Sequence, residues 1–318
     1  MRFRNWLPLM AATGAMIALV FCPETAAAAA RDGLRLCAEM LVPSLLPFFV
    51  LSGLLRAWGM PGVLGRLLAP ACRVLWGADG AVVSAFLMGI LGGYPLGAAM
   101  IGRLRADGAL SREEGERALA FCCNTGPAFL LGAAGMGVFH SRAAGFQLYG
   151  AHVLAAVIVG MLVSPRRRPD FSREQTLICV TGAAEALTEA VEQSVHAMLT
   201  VCGFAVLFSV AVGLLGSTGY LAALGGQLSA LTGLELTAAR AFFTGLLEIG
   251  GGLGAMRGLQ ATGANLALCA FMVSFGGVAV WCQTLAMLRG TDLTARAYLP
   301  GKLLHGTVAA GLILLINS

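Results

Sequence analysis

Apolar windows of about twenty residues, almost free of charge, recur along the whole sequence and constrain its fold more than any other feature. A helix needs about that length to cross a hydrocarbon layer of about 30 Å. Apolar residues make up 58% of the 318 positions and charged residues only 12%, against roughly 45–50% and 25% in soluble domains. Because a helix satisfies its own backbone groups inside lipid, the windows predict an all-α integral membrane protein.

Seven windows are predicted to cross the membrane as helices. They cover residues 6–21, 37–55, 119–139, 145–163, 197–215, 266–288 and 297–316. Segments 62–76 and 176–195 carry charges at intervals and are predicted to lie along the interface, while 221–236 is either a short span or an interfacial helix. The first window also has the features of a secretory signal; we favour a retained first helix within an N-terminal region 1–30.

Two further windows, 81–102 and 241–256, are interrupted by the glycine clusters "LGGYPLG" and "LEIGGGLG". Glycine is costly in the middle of a helix. Non-helical backbone at membrane depth is tolerated only where protein or a wet cavity satisfies it. We therefore predict two re-entrant helical hairpins whose tips use glycine at positive φ.

The basic residues are distributed unevenly across this layout. With the N-terminus in the cytoplasm and each hairpin returning to its own side, sixteen of the 21 Lys and Arg fall inside, among them Lys302 and the arginines of 166–168. This bias agrees with the positive-inside rule. The net charge of +5 comes without a basic run that contains interleaved aromatics, so nucleic acid is not predicted as a partner.

The order of elements repeats along the chain. A span ending in "VLSGLL" precedes the first hairpin and one ending in "VAVGLL" precedes the second, and a span with an interrupted centre follows each. The two spans before the hairpins are predicted to run in opposite directions. We therefore predict two inverted repeats, residues 31–164 and 176–318, joined by a basic cytoplasmic loop at 165–175. Many secondary transporters have this architecture.

The hairpin tips and interrupted spans supply the candidate substrate-binding residues, because their backbone groups and polar side chains can bind a polar solute or ion. In the first half they are Gly92, Gly93, Tyr94, Pro95, Asn124, Thr125, Gly126 and Pro127. In the second half they are Glu248, Gly250, Gly251, Gly252, Ser274, Gly276, Gly277 and Gln283. The alternative is that the Gly and Pro positions only allow close helix packing.

Glu248 is the only acidic residue well inside an apolar run. Burying an ionisable group in a bilayer is costly, which makes such a residue a functional candidate. We predict that Glu248 binds solute or holds a coupling proton or cation. The alternative is a structural carboxylate that lies at the interface or is held by a partner.

Motifs of enzymes and metal proteins are missing from the sequence. There is no phosphate loop, no HExxH and no GxSxG elbow. The nine cysteines form no CxxC pair and the four histidines are scattered. We predict no catalytic residue, no metal site, no cofactor and no disulfide framework.

The blocks "PSLLPFFVLSGLL", "GGYPLGA", "GALSREEGERALAFCCNTGPAFLLG" and "LEIGGGLGA" resemble the sporulation integral membrane protein YlbJ, or SpoVV, family over nearly the whole chain. That family carries the nucleoside recognition, or Gate, domain, a name also attached to the ferrous iron transporter FeoB and to concentrative nucleoside transporters. The resemblance implies a multi-pass membrane protein of a spore-forming bacterium that moves dipicolinic acid across the outer forespore membrane.

Family membership alone leaves other functions open. The solute could instead be a nucleoside or another small metabolite, and a sporulation scaffold that carries nothing is the alternative from a different class. Glycine-broken segments at membrane depth favour transport, because a scaffold needs no costly irregular backbone in lipid. The expected partners are a small-molecule solute, membrane lipid and a coupling proton or cation, and assembly as a homo-oligomer is compatible with each alternative.

Overall fold

The computed structural model of the chain describes residues 6–78, 80–163 and 182–318. Within these ranges the chain is helical and contains no strand, which confirms the prediction of an all-α protein. The helices are α1 (Trp6–Phe21), α2 (Pro23–Leu36), π1 (Cys37–Leu41), α3 (Val42–Ala57), α4 (Met60–Trp76), α5 (Gly80–Gly92), α6 (Leu96–Ala106), α7 (Arg112–Cys122), π2 (Ala128–Val138), α8 (Arg142–Leu162), α9 (Ala183–Ser217), α10 (Tyr220–Thr232), α11 (Leu236–Leu247), α12 (Ile249–Ala255), α13 (Gly263–Phe275), α14 (Gly277–Met287) and α15 (Tyr298–Ile316).

A long antiparallel helix pair forms one side of the bundle. α2, π1 and α3 follow one another without a break and pack along α9, which is 35 residues long. At one end of the pair Gly33 lies against Ser209, and at the other Arg56 donates a hydrogen bond to Gln193. Residues 183–195 were predicted to be an interfacial segment, but they are the first part of α9.

Several helices have the length and apolar composition of membrane spans. In the described part of the chain these are α8, α9, the α13–α14 pair and α15, or up to six spans if the bent pairs α1–α2 (104°) and α3–α4 (91°) each count as one. Large apolar side chains on their outer surfaces, such as Leu199, Leu207 and Leu315, are more than half exposed. An outer surface of this kind suits lipid and not water.

Two helical hairpins enter the bundle. In the first, α5 and α6 are joined by Gly93, Tyr94 and Pro95; in the second, α11 and α12 are joined at Glu248. Trp76, just before α5, donates a hydrogen bond to the Val157 carbonyl near the end of α8. The start of the first hairpin therefore lies beside the end of α8, while its tip lies inside the bundle.

Contacts between loop ends define two opposite faces. Thr294 donates to Glu116 at one face, which we name the inner face. Gly258 donates to the carbonyl of Val138 at the opposite face, which we name the outer face. Glu116 lies near the start of α7 and Val138 ends π2, whereas Gly258 precedes α13 and Thr294 follows α14. The two interrupted spans, α7–π2 and α13–α14, therefore cross the bundle in opposite directions.

Two predicted segments are described in the structure and a third is not. The chain changes direction at Cys22, between α1 and α2, so the boundary placed at residue 30 falls inside α2. Segment 221–236 contains α10, whose 13 residues span only about 20 Å and cannot cross the bilayer alone. The loop 165–175 lies outside the described residues.

Candidate functional site

The first hairpin tip packs on the break in the first interrupted span. Gly93 has φ +82°, and a Cβ there would lie 2.9 Å from the amide nitrogen of Gly126. Gly92 ends α5 and Pro95 is the N-cap of α6. Both tip and break therefore need glycine, because one backbone must approach another and only glycine adopts positive φ without cost.

Tyr94 connects this tip to the other half of the chain. Its hydroxyl donates a hydrogen bond to the carbonyl of Ser274, at 3.1 Å. A Cβ on Gly276, at φ +88°, would lie 3.1 Å from the same hydroxyl oxygen. The first hairpin tip thus touches the break of both interrupted spans.

The break in the first span exposes polar groups that the second half satisfies. Thr125 Oγ1 donates to the Val273 carbonyl at 2.6 Å, and the Thr125 amide donates to His152 Nε2 at 3.0 Å. Asn124 donates to the Phe121 carbonyl, and Asn124 Oδ1 is buried with no partner among the described residues. Pro127 is the N-cap of π2, where the helix resumes.

Three residues outside the predicted set complete this core. Lys302 Nζ donates to the Cys123 carbonyl and to His305 Nδ1, both at 2.7 Å. His305 Nε2 donates to the His152 carbonyl at 2.9 Å, and His152 Nδ1 donates to Ser274 Oγ at 2.7 Å. Lys302, His152 and His305 are fully buried. Lys302 was counted among the basic residues on the cytoplasmic side; it lies inside α15, is fully buried and reaches the break after α7.

Glu248 caps the second helix of the second hairpin. It is buried, and its two carboxylate oxygens accept from the amides of Gly250 and Gly251 at 2.8 and 2.6 Å. These contacts hold the carboxylate within its own hairpin, which corresponds to the structural alternative to solute or cation binding. They also occupy the two backbone amides that the tip could have offered to an anion.

The glycines after Glu248 do not have the positive φ that was predicted for a hairpin tip. Gly250, Gly251 and Gly252 lie in α12 and are helical, so the tip is formed by Glu248 and not by a glycine at positive φ. A Cβ on Gly252 would overlap Gly245 of α11. Glycine here lets the two hairpin helices approach closely, which was the packing alternative.

The second tip packs on the second break as the first tip does on the first. Gly277 has φ +77°, and a Cβ there would lie 2.9 Å from the Gly245 carbonyl oxygen and 3.2 Å from that of Leu246. Gln283 lies farther along α14, buried but outside the network that joins the breaks. Of the predicted residues, those at tips and breaks converge, and Gln283 does not join them.

A cleft of 310 Å³ lies at the inner face beside the first hairpin. It extends from Leu96, next to the tip, to Arg103, and is closed by α3 and α9. The guanidiniums of Arg56 and Arg103 both donate to the side-chain oxygen of Gln193. Arg56 also lies 3.9 Å from a carboxylate oxygen of Glu189, whereas the acceptor that the two guanidiniums share is the neutral amide of Gln193.

A second cleft, of 960 Å³, lies at the outer face beside the second hairpin. It extends from Gly250 and Gly251, next to the tip, to Arg257 at the end of α12. Charged side chains of both signs line it, including Asp32, Arg35 and Glu39 of the α2–π1 stretch. Each cleft therefore reaches one hairpin tip, and the two clefts open at opposite faces.

Sequence reasoning missed Arg56, Lys302 and the two histidines. The arginine and the lysine had been counted only as topology signals, and the histidines as isolated packed residues. One signal was available: twenty of the 21 basic residues are arginine, so Lys302 is the only lysine of the chain. Lysine carries a compact ammonium and arginine a larger planar guanidinium, so the two are not interchangeable at a buried position.

Known proteins are similar to this chain in sequence. Residues 38–166, which contain the first hairpin and the first interrupted span, match the Gate family, described as nucleoside recognition. Sporulation integral membrane protein YlbJ of Bacillus subtilis (strain 168) is 30% identical over 322 residues, covering 92% of this chain and 78% of that protein. A solved structure of CNTnw in an outward-facing state superposes with a TM-score of 0.48 at 16% identity, covering 86% of this chain and 76% of that one.

Proposed function

The chain belongs to the YlbJ family of sporulation integral membrane proteins, and from this premise we propose that it transports a small polar or anionic solute across a membrane. One observation carries the proposal: two clefts open at opposite faces, and each ends at a hairpin tip. A solute bound at one tip has only the packed central core between it and the other cleft. Transport then requires the tips to part from the breaks alternately.

The proposal includes two inverted repeats that move against each other. Its support is the opposite direction of the two interrupted spans and the contact of each tip with the break of its own half. The antiparallel pair formed by α2–π1–α3 and α9 supports it as well. Tyr94 and Thr125 donate hydrogen bonds across the halves to the carbonyls of Ser274 and Val273, so these two bonds would break when the first tip moves.

An anionic solute is favoured by the inner cleft. Arg56 and Arg103 bring two guanidiniums to this cleft, and none of the described residues that line it is acidic. A guanidinium binds a carboxylate with two parallel hydrogen bonds, and 310 Å³ is at the lower end of small-molecule sites. Dipicolinic acid, a pyridine ring with two carboxylates, suits such a pair of guanidiniums, and we propose the outer forespore membrane as the place of this step.

Nucleosides are the second candidate. The match of residues 38–166 to the nucleoside recognition family favours them. A nucleoside is neutral and offers hydroxyl and ring donors, which the unpartnered acceptor Asn124 Oδ1 could receive when the first tip opens. Arg56 and Arg103 would then matter little, which separates this candidate from the anion.

Uptake into proteoliposomes tests the proposal. Purified protein should concentrate labelled dipicolinate inside vesicles, and excess unlabelled dipicolinate should compete while uridine should not. Competition by uridine alone would select the nucleoside candidate. If neither solute enters faster than into protein-free vesicles, and deletion of the protein leaves dipicolinate levels of spores unchanged, the result favours the scaffold alternative.

A further inference from the structure

The only lysine of the chain is fully buried at the point where the first interrupted span breaks. Its ammonium group donates to the Cys123 carbonyl and to His305 Nδ1, and lies 5.1 Å from the centre of the Tyr94 ring. Hydrogen-bond acceptors and an aromatic face are the groups that stabilise a cation. No carboxylate lies within 4.0 Å of it among the described residues.

The Cys123 carbonyl is part of a half-helix end. α7 ends at Cys122, and Cys123 is extended, with φ −89° and ψ 104°. The last carbonyls of a helix lack intrahelical partners and carry the negative end of the helix dipole. Such ends, when they meet at the middle of a membrane protein, are places where a monovalent cation binds. Here a side chain of the protein occupies that place.

Both neighbouring imidazoles are neutral in this arrangement. A carbonyl only accepts, so His305 Nε2 carries a proton toward the His152 carbonyl, and His305 Nδ1 accepts from Lys302. His152 Nε2 accepts from the Thr125 amide, so His152 Nδ1 carries the other proton. The other ionisable groups around the ammonium, Tyr94, Tyr298, Cys122 and Cys123, are neutral near pH 7 in their ordinary state.

We propose that the Lys302 ammonium is a built-in cation: it occupies the site that a monovalent metal ion would otherwise fill, and it stabilises the break without a bound ion. The transport part of this inference rests on the function proposed above, whereas the cation site itself does not. It follows that neither the stability of the protein nor its solute uptake depends on Na⁺ or K⁺ at this position.

Melting of purified protein tests the site independently of transport. In equal concentrations of sodium, potassium and choline chloride, the wild type should melt at one temperature. Lys302→Met keeps most of the volume but removes the charge and both hydrogen bonds, and should melt at least about 3 °C lower. Leu303→Ala is the matched control on α15, because Leu303 is 54% exposed to the surroundings.

Lys302→Ala leaves a space in which a small cation can replace the ammonium. Sodium or ethylammonium chloride should raise the melting temperature of this variant relative to choline chloride, because choline is too large to enter. The inference is overturned if Lys302→Met melts with the wild type, if no small cation stabilises Lys302→Ala, or if Na⁺ or K⁺ stabilises the wild type. If neither variant folds, the wild-type comparison among the three salts still decides.

Uptake supplies the second arm. Replacing Na⁺ and K⁺ by choline on both sides of the vesicle should leave solute uptake by the wild type unchanged. Lys302→Met loses both charged hydrogen bonds and should reduce uptake at least about tenfold. Uptake that requires a metal cation gradient would contradict the built-in cation. A wild type that takes up no solute would instead refute the proposed function, and the melting results would stand by themselves.

Discussion

The two hairpin tips occupy corresponding places in the order of helices but are built by different chemistry. The first tip turns through Gly93 at positive φ and reaches across to the other half through Tyr94. The second turns at Glu248, an extended residue whose carboxylate caps the helix that follows. One tip is therefore fixed by backbone conformation and a contact between halves, and the other by a bond within its own hairpin.

This difference shows that a glycine cluster in a membrane segment has no single meaning. At Gly93 the missing side chain allows a left-handed turn against the Gly126 backbone. At Gly252 it allows two helices to pack closely within a regular helix. A side chain added at the first tip must change the turn, whereas one added on the exposed side of α12 need not.

The largest effect is expected from comparing alanine at the two tips. Gly93→Ala should destabilise the protein by about 3 kcal/mol, because alanine resists positive φ and its Cβ would press on Gly126. Gly251→Ala should be nearly neutral, because the helix preference of alanine offsets the tight contact of its Cβ with Glu248 Oε2 at 3.3 Å. Thermal melting in detergent measures both, and equal loss in the two variants would show that the tips are alike.

A smaller loss is expected when the cap of the second tip is weakened. Glu248→Gln keeps one acceptor for two amides and places an NH₂ group against the other, which should cost about 2 kcal/mol. Glu235→Gln is the control, because Glu235 is also an N-cap residue but makes no cap hydrogen bond. If Glu248→Gln melts like wild type while its uptake changes, the carboxylate serves solute or cation binding instead.

The Tyr94 hydrogen bond joins the first tip to the other half of the chain. We expect its loss to weaken the coupling between the halves more than the stability of the protein. Tyr94→Phe removes the hydrogen bond to the Ser274 carbonyl and should lower stability by about 1 kcal/mol. Tyr220, which is 71% exposed, supplies the matched control Tyr220→Phe with no expected change. A Tyr94→Phe variant that melts and transports as wild type would remove this contact from the account of the first tip.

The smallest effect concerns the inner face, where Arg105 binds both carboxylate oxygens of Asp292 at 2.8 Å. The hydrogen bonds from Arg105 lower the pKa of Asp292. A carboxyl with a lowered pKa in the folded state stabilises the fold above its unfolded pKa, and that stability is lost as the pH falls through the folded value. Asp292→Asn should therefore melt slightly below wild type at neutral pH and equally in acid. A difference that grows in acid would contradict the pair.

Hydropathy and glycine placement were sufficient to predict most of the helices, because a bilayer fixes helix length and makes each interruption conspicuous. Both interrupted spans and the first tip follow from "GGYP", "CCNTGP" and "SFGG". The second tip was predicted less well. The segment "EIGGGLG" has the composition of a turn, but the residues after Glu248 form a helix because the Glu248 carboxylate caps it.

The centre of the bundle could not be predicted from the sequence. Lys302, His305 and His152 are brought together from two helices about 150 residues apart in sequence, and nothing in their local patterns indicates that they meet. Arg56 and Arg103 likewise converge only because α9 carries Gln193 between them. Such groupings depend on tertiary packing, which hydrophobic periodicity does not encode.

Uptake of labelled dipicolinate by variants of the inner cleft tests the central claim most directly. Arg103→Gln removes a guanidinium from the cleft, while Arg66→Gln removes the same charge from an exposed position on α4 and serves as the control for topology. We expect proteoliposome uptake to fall about tenfold in Arg103→Gln, as for loss of a charged hydrogen bond, and to stay at the wild-type rate in Arg66→Gln. Equal uptake by both variants and wild type would contradict an anion pathway through this cleft.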